Sequence, residues 1–572
     1  MTADASTLTL PSRDDGLRSL LRREFRGYSA GDLRADIVAG LTVAAVALPL
    51  ALAFGVVSGA DAAAGLVTAI LAGLIIGGLG GSPYQISGPT GAMSAVLVVV
   101  AAHHGLAGVW LAGVLAGLLI FLMGLLRLGK LVTFIPSPVI VGFTSGIAAI
   151  IAVGQLPNVL GIAHAGGEST VAIFWAMVLH LGEIDPRTLL LAGVVAVCMV
   201  GLPRLLPSVP SSLVGIAAAA GLAGLLGWSV PTIGEIPRSI LLDNRLTPDL
   251  MSPTMLNDVL PAAISIAVLG AVESLLCGTV AGNLTGIRLD SRQELLAQGI
   301  GNVIIPFFGG VPSTAAIART GVGLSAGGRT RLTSVFHSLA LLVAALVAAP
   351  LLAMIPLAAL GGVLLVTAVR MNEWQALHFF AHRRLWHALA AMGVTLAATV
   401  ALDLTQAIIL GMGVSALLFL RQASAIVVSH EAVDPDRIAR LPDVASASDI
   451  DARADLHANI RVVYVTGPLF FGSVAMFLDA VEAVPSTAHL VLSLRGMPTV
   501  DHMGVEAIRE VIDRQRDGGG DVQLAGVQPS VADELTRTGV LDHLGRGRVH
   551  WSADQAIRAS ALAAPADELT AT

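Results

Sequence analysis

Glu273 is the residue whose type and place most demand a chemical explanation. It stands in Ile264-Ser265-Ile266-Ala267-Val268-Leu269-Gly270-Ala271-Val272-Glu273-Ser274-Leu275-Leu276-Cys277, the middle of an apolar run long enough for a membrane helix. A carboxylate at that depth is costly and marks an ion or proton pathway. A second feature is Gln85-Ile86-Ser87-Gly88-Pro89-Thr90-Gly91-Ala92-Met93-Ser94, a Gly/Pro break that opens a short apolar helix inside a hydrophobic stretch. Within a bilayer, broken backbone persists only where it lines a cavity or is buried in protein. A helix that starts there aims free N–H groups and its positive dipole end into that cavity. The N–H groups of Gly88 to Ala92 (Gly88, Pro89, Thr90, Gly91 and Ala92, of which Pro89 has none), with the Thr90 hydroxyl, can replace water stripped from an anion. A matching break at Val311-Pro312-Ser313-Thr314 predicts the opposing half of the site, Pro312 to Ala315, with hydroxyls from Ser313 and Thr314. Arg319, a little beyond it, attracts the anion or neutralises Glu273; the plainer reading is a charge that snorkels to the membrane surface. Phe54 and Ala51, just after Pro49, are placed to wall the cavity, although an aromatic in a membrane helix also serves packing.

The elements that must hold these residues follow from composition. Of 572 residues 55% are hydrophobic and 13% charged, about half the charged fraction of a soluble domain, so the chain is a membrane protein. A net charge of −7 argues against a nucleic-acid partner. Cys198 and Cys277 give neither a disulfide framework nor a metal-binding spacing, and no cofactor is expected. Apolar segments fall at about 37–58, 63–80, 88–102, 106–126, 133–156, 187–203, 211–228, 257–281, 294–309, 313–324, 332–350, 355–370, 386–402 and 404–420. The third and tenth are shorter than the ~20 residues a full span needs, and the run Val171 to Leu181 is too short to span. Fourteen segments put both termini on one side. Arg127, Lys130, Arg204, Arg288, Arg292, Arg329, Arg331, Arg370, Arg383, Arg384 and Arg421 then share that side, the cytoplasmic one by the positive-inside rule. The opposite loops carry Arg187, Arg238 and Arg245 among Glu168, Glu183, Asp185, Glu235 and Asp243. The polar stretch 1–35, with Arg13, Arg18, Arg22, Arg23, Arg26 and Arg34, lacks a secretory signal and is expected in the cytoplasm.

Internal similarity organises the segments. Pro136 and Pro356, Pro89 and Pro312, and Pro49 and Glu273 are separated by 220, 223 and 224 residues. A near-constant offset over an odd number of segments implies two inverted repeats of seven. Paired broken helices in inverted repeats are the architecture of secondary transporters, with substrate at the midplane. The glycines, such as Gly73, Gly77 and Gly78, suit close helix packing. His103 and His104 read as solvated loop residues and Asp403 as an interfacial charge.

After Arg421 a polar linker, 422–458, carries Asp434, Asp436, Arg437, Asp443, Asp449, Asp451 and Asp455. Strands are predicted at Arg461 to Phe471, His489 to Leu494 and Asp521 to Ala525, helices at Val474 to Ala483, Val505 to Arg514 and Val531 to Thr538: a small α/β domain. It shows no phosphate loop and no catalytic set, so no enzyme is expected. Asp501-His502 reads as a helix cap.

Particular motifs resemble a known family. Leu48-Pro49-Leu50-Ala51-Leu52-Ala53-Phe54-Gly55, Ile86-Ser87-Gly88-Pro89-Thr90-Gly91, Gln293-Glu294-Leu295, Gln298-Gly299-Ile300-Gly301-Asn302, Phe308-Gly309-Gly310-Val311-Pro312, Ile317-Ala318-Arg319-Thr320 and Ala326-Gly327-Gly328-Arg329-Thr330 resemble the bacterial sulfate permease (SulP) anion transporters. Gly467-Pro468-Leu469-Phe470-Phe471 and Asp501-His502-Met503-Gly504 resemble a STAS domain. The resemblance covers residues 30 to 555. It implies an α-helical membrane protein of fourteen transmembrane segments as 7+7 inverted repeats, divided into core and gate, with a small cytoplasmic α/β STAS domain. It also implies homodimers in a bacterial-type plasma membrane, an elevator-like movement, and an anion site at Phe54, Gly88 to Ala92, Glu273 and Ser313 to Ala315, with Arg319 nearby. The expected division is a tail 1–35, a transport domain 36–421, the linker, a STAS domain 459–558 and a loose tail 559–572. Leu50 replaces the Gln of many sulfate-type members, which places the chain nearer the bicarbonate and dicarboxylate branch. Sodium-coupled members carry Asp and Thr where Glu273 and Cys277 stand. A thiol is a poor ligand for a hard cation, which favours H+ on Glu273 over Na+ as coupling ion. His502 replaces the Ser of phosphorylatable STAS domains, whose partners are cytoplasmic proteins. Three rivals remain open at this point: a sodium-coupled bicarbonate symporter, a nucleobase–proton symporter of the same fold, and a membrane-tethered STAS signalling protein.

Overall fold

Ser29 begins the first long helix through a reciprocal cap. Its hydroxyl accepts from Asp32 N–H at 3.3 Å while the Asp32 carboxylate accepts from Ser29 N–H at 2.8 Å, satisfying two donors a helix start leaves orphaned. The computed structural model describes residues 16–129, 135–162, 169–206, 209–234, 236–402, 404–433 and 459–562. Arg13, Lys130, Phe134, Glu168, Glu235, Asp403, the linker charges from Asp434 to Asp455 and the last ten residues lie outside them. The chain divides into two units, Met1–Ser415 and Ala416–Thr572.

The helices of the first unit are α1 Leu17–Glu24, α2 Ala30–Val57, α3 Ala62–Leu79, α4 Gly91–Leu125, α5 Ser137–Leu160, α6 Thr170–Leu179, α7 Pro186–Leu205, α8 Ser211–Leu225 and α9 Pro253–Thr285. They continue as α10 Ser291–Ile304, α11 Ile317–Ser325, α12 Leu332–Val347, α13 Ala349–Ala353, α14 Leu357–Met371, α15 Trp374–His382, α16 Trp386–Ala401 and α17 Leu404–Ala423, the last running into the second unit. Among the described residues seven helices are long and apolar enough to cross a membrane. Each apolar segment read from the sequence carries helix. Segments three and four share α4, broken at Gly105, whose φ of 63° and ψ of −171° are not helical. His103 and His104 are therefore not loop residues: they end the first half of α4, where His103 Nδ1 bonds Val99 O at 2.9 Å. Segment ten differs too. Its helix, α11, starts at Ile317, because Thr314–Ala315 forms a short strand, β2, against β1, Ser87–Gly88.

Small residues let the helices approach closely. A Cβ on Gly117 of α4 would lie 2.7 Å from Val303 N of α10, and one on Gly299 of α10 would lie 2.6 Å from Phe121 N of α4. That contact brings the polar side of α10 against the broken segments. Gly73 and Gly77 of α3 similarly lie under Ser338 and Ser334 of α12, whereas Gly78 faces open space.

Sequence reading missed a clamp at the start of α2. Asp36, fully buried, accepts from Tyr28 OH (2.8 Å), Arg329 N–H (2.7 Å), Thr330 N–H (3.0 Å), Thr330 Oγ1 (2.6 Å) and Thr333 Oγ1 (2.9 Å). Asp32 pairs with Arg329, and a buried pair at 2.8 Å joins Glu24 to Arg331. Burial, and then the bond to Asp36, pushes the Tyr28 phenol up to about 12. The bond's contribution is complete below about pH 10, the ordinary tyrosine value, and is lost as pH rises through the folded value. Asp36→Ala would strand backbone donors in the interior at a cost of about 2–4 kcal/mol. It should lower the melting temperature in detergent by several degrees, and Asp36→Asn should lower it less.

In the second unit β3 Val427–Ala432, β4 Ile460–Thr466, β5 His489–Gly496, β6 Asp521–Ala525 and β7 Val549–His550 form one sheet in that order. Only the β3–β4 pair is antiparallel. Helices α18 Val474–Glu482, α19 His502–Asp517, α20 Pro529–Arg537, α21 Val540–Leu544 and α22 Ala553–Leu562 complete the unit. Phe477, Leu492, Ile508 and Leu535 pack one face and Val462, Val491 and Ile557 the other, which explains the consecutive apolar residues Val462 to Val465 of β4 and Leu490 to Leu492 of β5. Asp501 caps α19, accepting from Gly504 N–H at 2.8 Å. β3 lies within the stretch read as linker, its residues almost all exposed and without apolar alternation.

Candidate anion site

β1 and β2 pair antiparallel, Ser87 opposite Ala315 and Gly88 opposite Thr314. The two breaks therefore meet, and the chain runs through them in opposite directions, α4 leaving one strand and α11 the other. Four strand residues give this pair little backbone bonding of its own, so side chains from α9 and α10 complete it.

On α10, Glu294, Gln298 and Asn302 stand four residues apart, one above the next on the same face, and all are fully buried. Glu294 Oε2 accepts from Gly81 N–H (2.9 Å), and Gln298 Nε2 donates to Glu294 Oε1 (3.0 Å) and to Ser87 Oγ (3.1 Å). Asn302 Oδ1 accepts from Ser313 N–H (2.7 Å) while its Nδ2 donates to Ser313 O (3.0 Å). On α9, Ser274 Oγ bonds Thr314 Oγ1 (2.8 Å) and accepts from Ala315 N–H (3.3 Å). Thr314 Oγ1 reaches Gly270 O at 3.3 Å. Ser313 and Thr314 are thus held by α10 and α9, and their polar groups are committed to the protein. The free donors at this end belong to α11, whose N-cap Ala316 provides no side-chain bond. Asn302→Leu would leave Ser313 N–H and C=O unpaired, at about 1–3 kcal/mol each. Uptake should fall at least about tenfold if β2 shapes the site, and melting should fall with it.

At the other break Thr90 caps α4, accepting from Met93 N–H at 3.4 Å and donating to Glu273 Oε2 at 3.1 Å. One hydroxyl thereby ties the acid of α9 to the first turn of α4, and Glu273 keeps part of its surface open. Gly91 and Ala92 follow the cap, where N–H groups have no intrahelical acceptor. A Cβ on Gly91 would lie 3.2 Å from Phe54 Cε1, so the Phe54 ring covers the start of α4. Ser94 Oγ donates to Phe54 O (3.1 Å) and to Thr90 O (2.9 Å), fixing α2 to α4. Ala51 is buried one turn earlier.

Arg319 rises from the first turn of α11 and is 1% exposed, so it does not snorkel. Nη2 donates to Pro89 O at 2.7 Å, across the strand pair. Nη1 is buried and has no partner, and it lies where a Cβ on Gly88 would stand; only glycine leaves room for the guanidinium. No ion pair joins Arg319 to Glu273 among the described residues, although each lies within the other's field. The structure brings together Phe54, Gly88, Pro89, Thr90, Gly91, Ala92, Glu273 and Arg319, and turns Ser313 and Thr314 toward their braces. Sequence reading gave no role to Ser274, Gln298 or Asn302, although the family motif Gln298 to Asn302 and the four-residue spacing on α10 both signal the latter two. Cys277 Sγ, buried, donates to Thr320 Oγ1 at 3.4 Å.

The chain as a whole is similar to known anion transporters. The family model described as Sulfate permease family matches residues 33–400, and the STAS domain model matches 451–556. YvdB of Bacillus subtilis, a protein named for sulfate transport, is 32% identical over 537 residues, covering 91% of this chain and 97% of its own length. The bicarbonate transporter BicA of Picosynechococcus sp. is 31% identical over 563 residues, covering 93% and 95%. The solved transmembrane domain of a cyanobacterial BicA is 32% identical, with a TM-score of 0.60 over 67% of this chain and 98% of that one. The murine Slc26a9 anion transporter, solved in the inward-facing state, shares the fold with a TM-score of 0.79 over 96% and 99%, at 20% identity. The chain belongs to the sulfate permease family of anion transporters and carries a STAS domain.

Proposed function

We propose that this protein is a secondary active symporter, coupling import of an oxyanion or carboxylate to entry of a proton. It works in a bacterial-type plasma membrane, with both termini cytoplasmic and the core moving against the gate as an elevator, in a homodimer. The observation that carries the substrate class is the buried, unpartnered Nη1 of Arg319 beside Gly88. A desolvated guanidinium edge is complementary to a planar or tetrahedral oxyanion, and the free N–H groups of α4 and α11 add positive partial charge. Relatives named for sulfate and bicarbonate support the same class. A neutral nucleobase would not require that cation.

Glu273 carries the coupling. As a carboxylate it repels an incoming anion; with a proton bound it does not, and it can give Thr90 a donor instead of taking one. Proton and anion then strengthen each other's binding, as linkage requires. The Cys277 thiol, which stands where a sodium ligand would be needed, points to Thr320, which supports H+ over Na+. The test is uptake of labelled sulfate, bicarbonate, chloride and a dicarboxylate into liposomes, with and without an inward proton gradient. Accumulation of one of them beyond equilibrium under the gradient is expected; equilibration alone would refute coupling.

A further inference from the structure

The turn that closes α15 joins aromatic and basic side chains that the transport site does not use. Phe380, with Ala376 and Leu377, packs inward against Val141 and Met392. The outward face is largely uncovered by the described residues: Trp374 is 56% exposed, Phe379 53% and Trp386 69%. Trp374 is anchored, its Nε1 donating to Val369 O at 2.8 Å, and Val369 is itself exposed. Such a cluster where two membrane helices, α14 and α16, leave their apolar stretch belongs at the headgroup level.

The backbone supplies a second observation. Arg384 has φ of 53°, and among the described residues only it and Arg127 are non-glycine residues with positive φ. Leu385 N–H donates to Phe380 O at 3.0 Å and Arg384 N–H to Ala381 O at 3.1 Å, a helix stop in which glycine is the favoured residue. An arginine held there costs about 1 kcal/mol of backbone strain, and its side chain, like that of Arg383, is exposed and makes no bond or ion pair within the described residues.

We propose that this turn seats an anionic phospholipid, Arg383 and Arg384 holding the headgroup phosphate while Trp374, Phe379 and Trp386 lie in the interfacial layer. Charge complementarity and continuity with the lipid-facing helices select a lipid over a soluble protein. The inference depends on the chain spanning a membrane and not on which ion it carries.

The full chain, purified in a neutral maltoside detergent, is titrated with phosphatidylglycerol, phosphatidylcholine or inorganic phosphate while melting is followed. Phosphatidylglycerol should raise the melting temperature of the wild type, and phosphatidylcholine and inorganic phosphate should not. Arg383→Gln with Arg384→Gly should raise the half-maximal phosphatidylglycerol concentration about twenty-five-fold, from roughly fivefold per arginine. Arg384→Gly alone, free of strain, should melt no lower than the wild type without lipid. An unchanged half-point in the double variant, an equal response to phosphatidylcholine or to inorganic phosphate, or a lower lipid-free melting temperature for Arg384→Gly would overturn the proposal. Melting needs no transport activity, so a failure of the symport reading leaves this test intact.

Discussion

Glu273→Gln should uncouple anion uptake from the proton gradient. The amide keeps the size of the acid and can still accept from Thr90 Oγ1, so the α4 cap and the α9–α4 contact persist. What disappears is a group that changes charge beside the anion. Gradient-driven uptake should drop by about tenfold or more, within the range of ordinary coupling energies, while anion exchange at equal pH on both sides continues. Glu273→Asp, which retains the acid but shortens its reach to Thr90, should keep a gradient response at a lower rate. Full proton-driven uptake by the Gln variant would remove Glu273 from the coupling.

Arg319→Met should weaken anion binding about a hundredfold, the loss expected when one member of a buried charge contact is removed. The substitution leaves the interior apolar, so the membrane unit should still fold; the released acceptor, Pro89 O, is a single carbonyl. Arg319→Lys should rescue only part of the loss. An ammonium on a flexible stem cannot hold Pro89 O while presenting a second, oriented donor edge. Gly88→Ala should mimic the arginine substitution, because its Cβ would overlap the guanidinium. In an Arg319→Met background Gly88→Ala should add little, the non-additivity of residues in contact. Additive effects of the two would show that Gly88 serves something other than the arginine. Competition of unlabelled anion against labelled uptake reads all four variants.

The sequence exposed the membrane architecture because lipid admits so few backbone solutions. Apolar runs had to be helix, and the Pro-marked breaks had to face something other than lipid. The start of α11 was misjudged for a nonlocal reason. Ser313, Thr314 and Ala315 look like a first helical turn, but their backbone partners lie on β1, more than two hundred residues earlier, and on Asn302 and Ser274. No local pattern carries that information. For the same reason Arg319 read equally well as a surface charge: its burial depends on Gly88 leaving room. α15 escaped notice because nine residues are too few for a helical period to stand out, and β3 because an exposed edge strand lacks apolar alternation. Asp36 carries no local signal of its role, because four of its five donors come from Arg329, Thr330 and Thr333, almost three hundred residues later.

The most direct test of the central claim is proton movement itself. Liposomes holding the protein and a pH-sensitive dye are prepared with equal pH on both sides, with membrane potential clamped by potassium and valinomycin. An inward gradient of sulfate, or of a dicarboxylate, is then imposed. The symport account predicts acidification of the lumen in step with entry of labelled anion, absent in the Glu273→Gln variant. Anion entry with no change in luminal pH would contradict it.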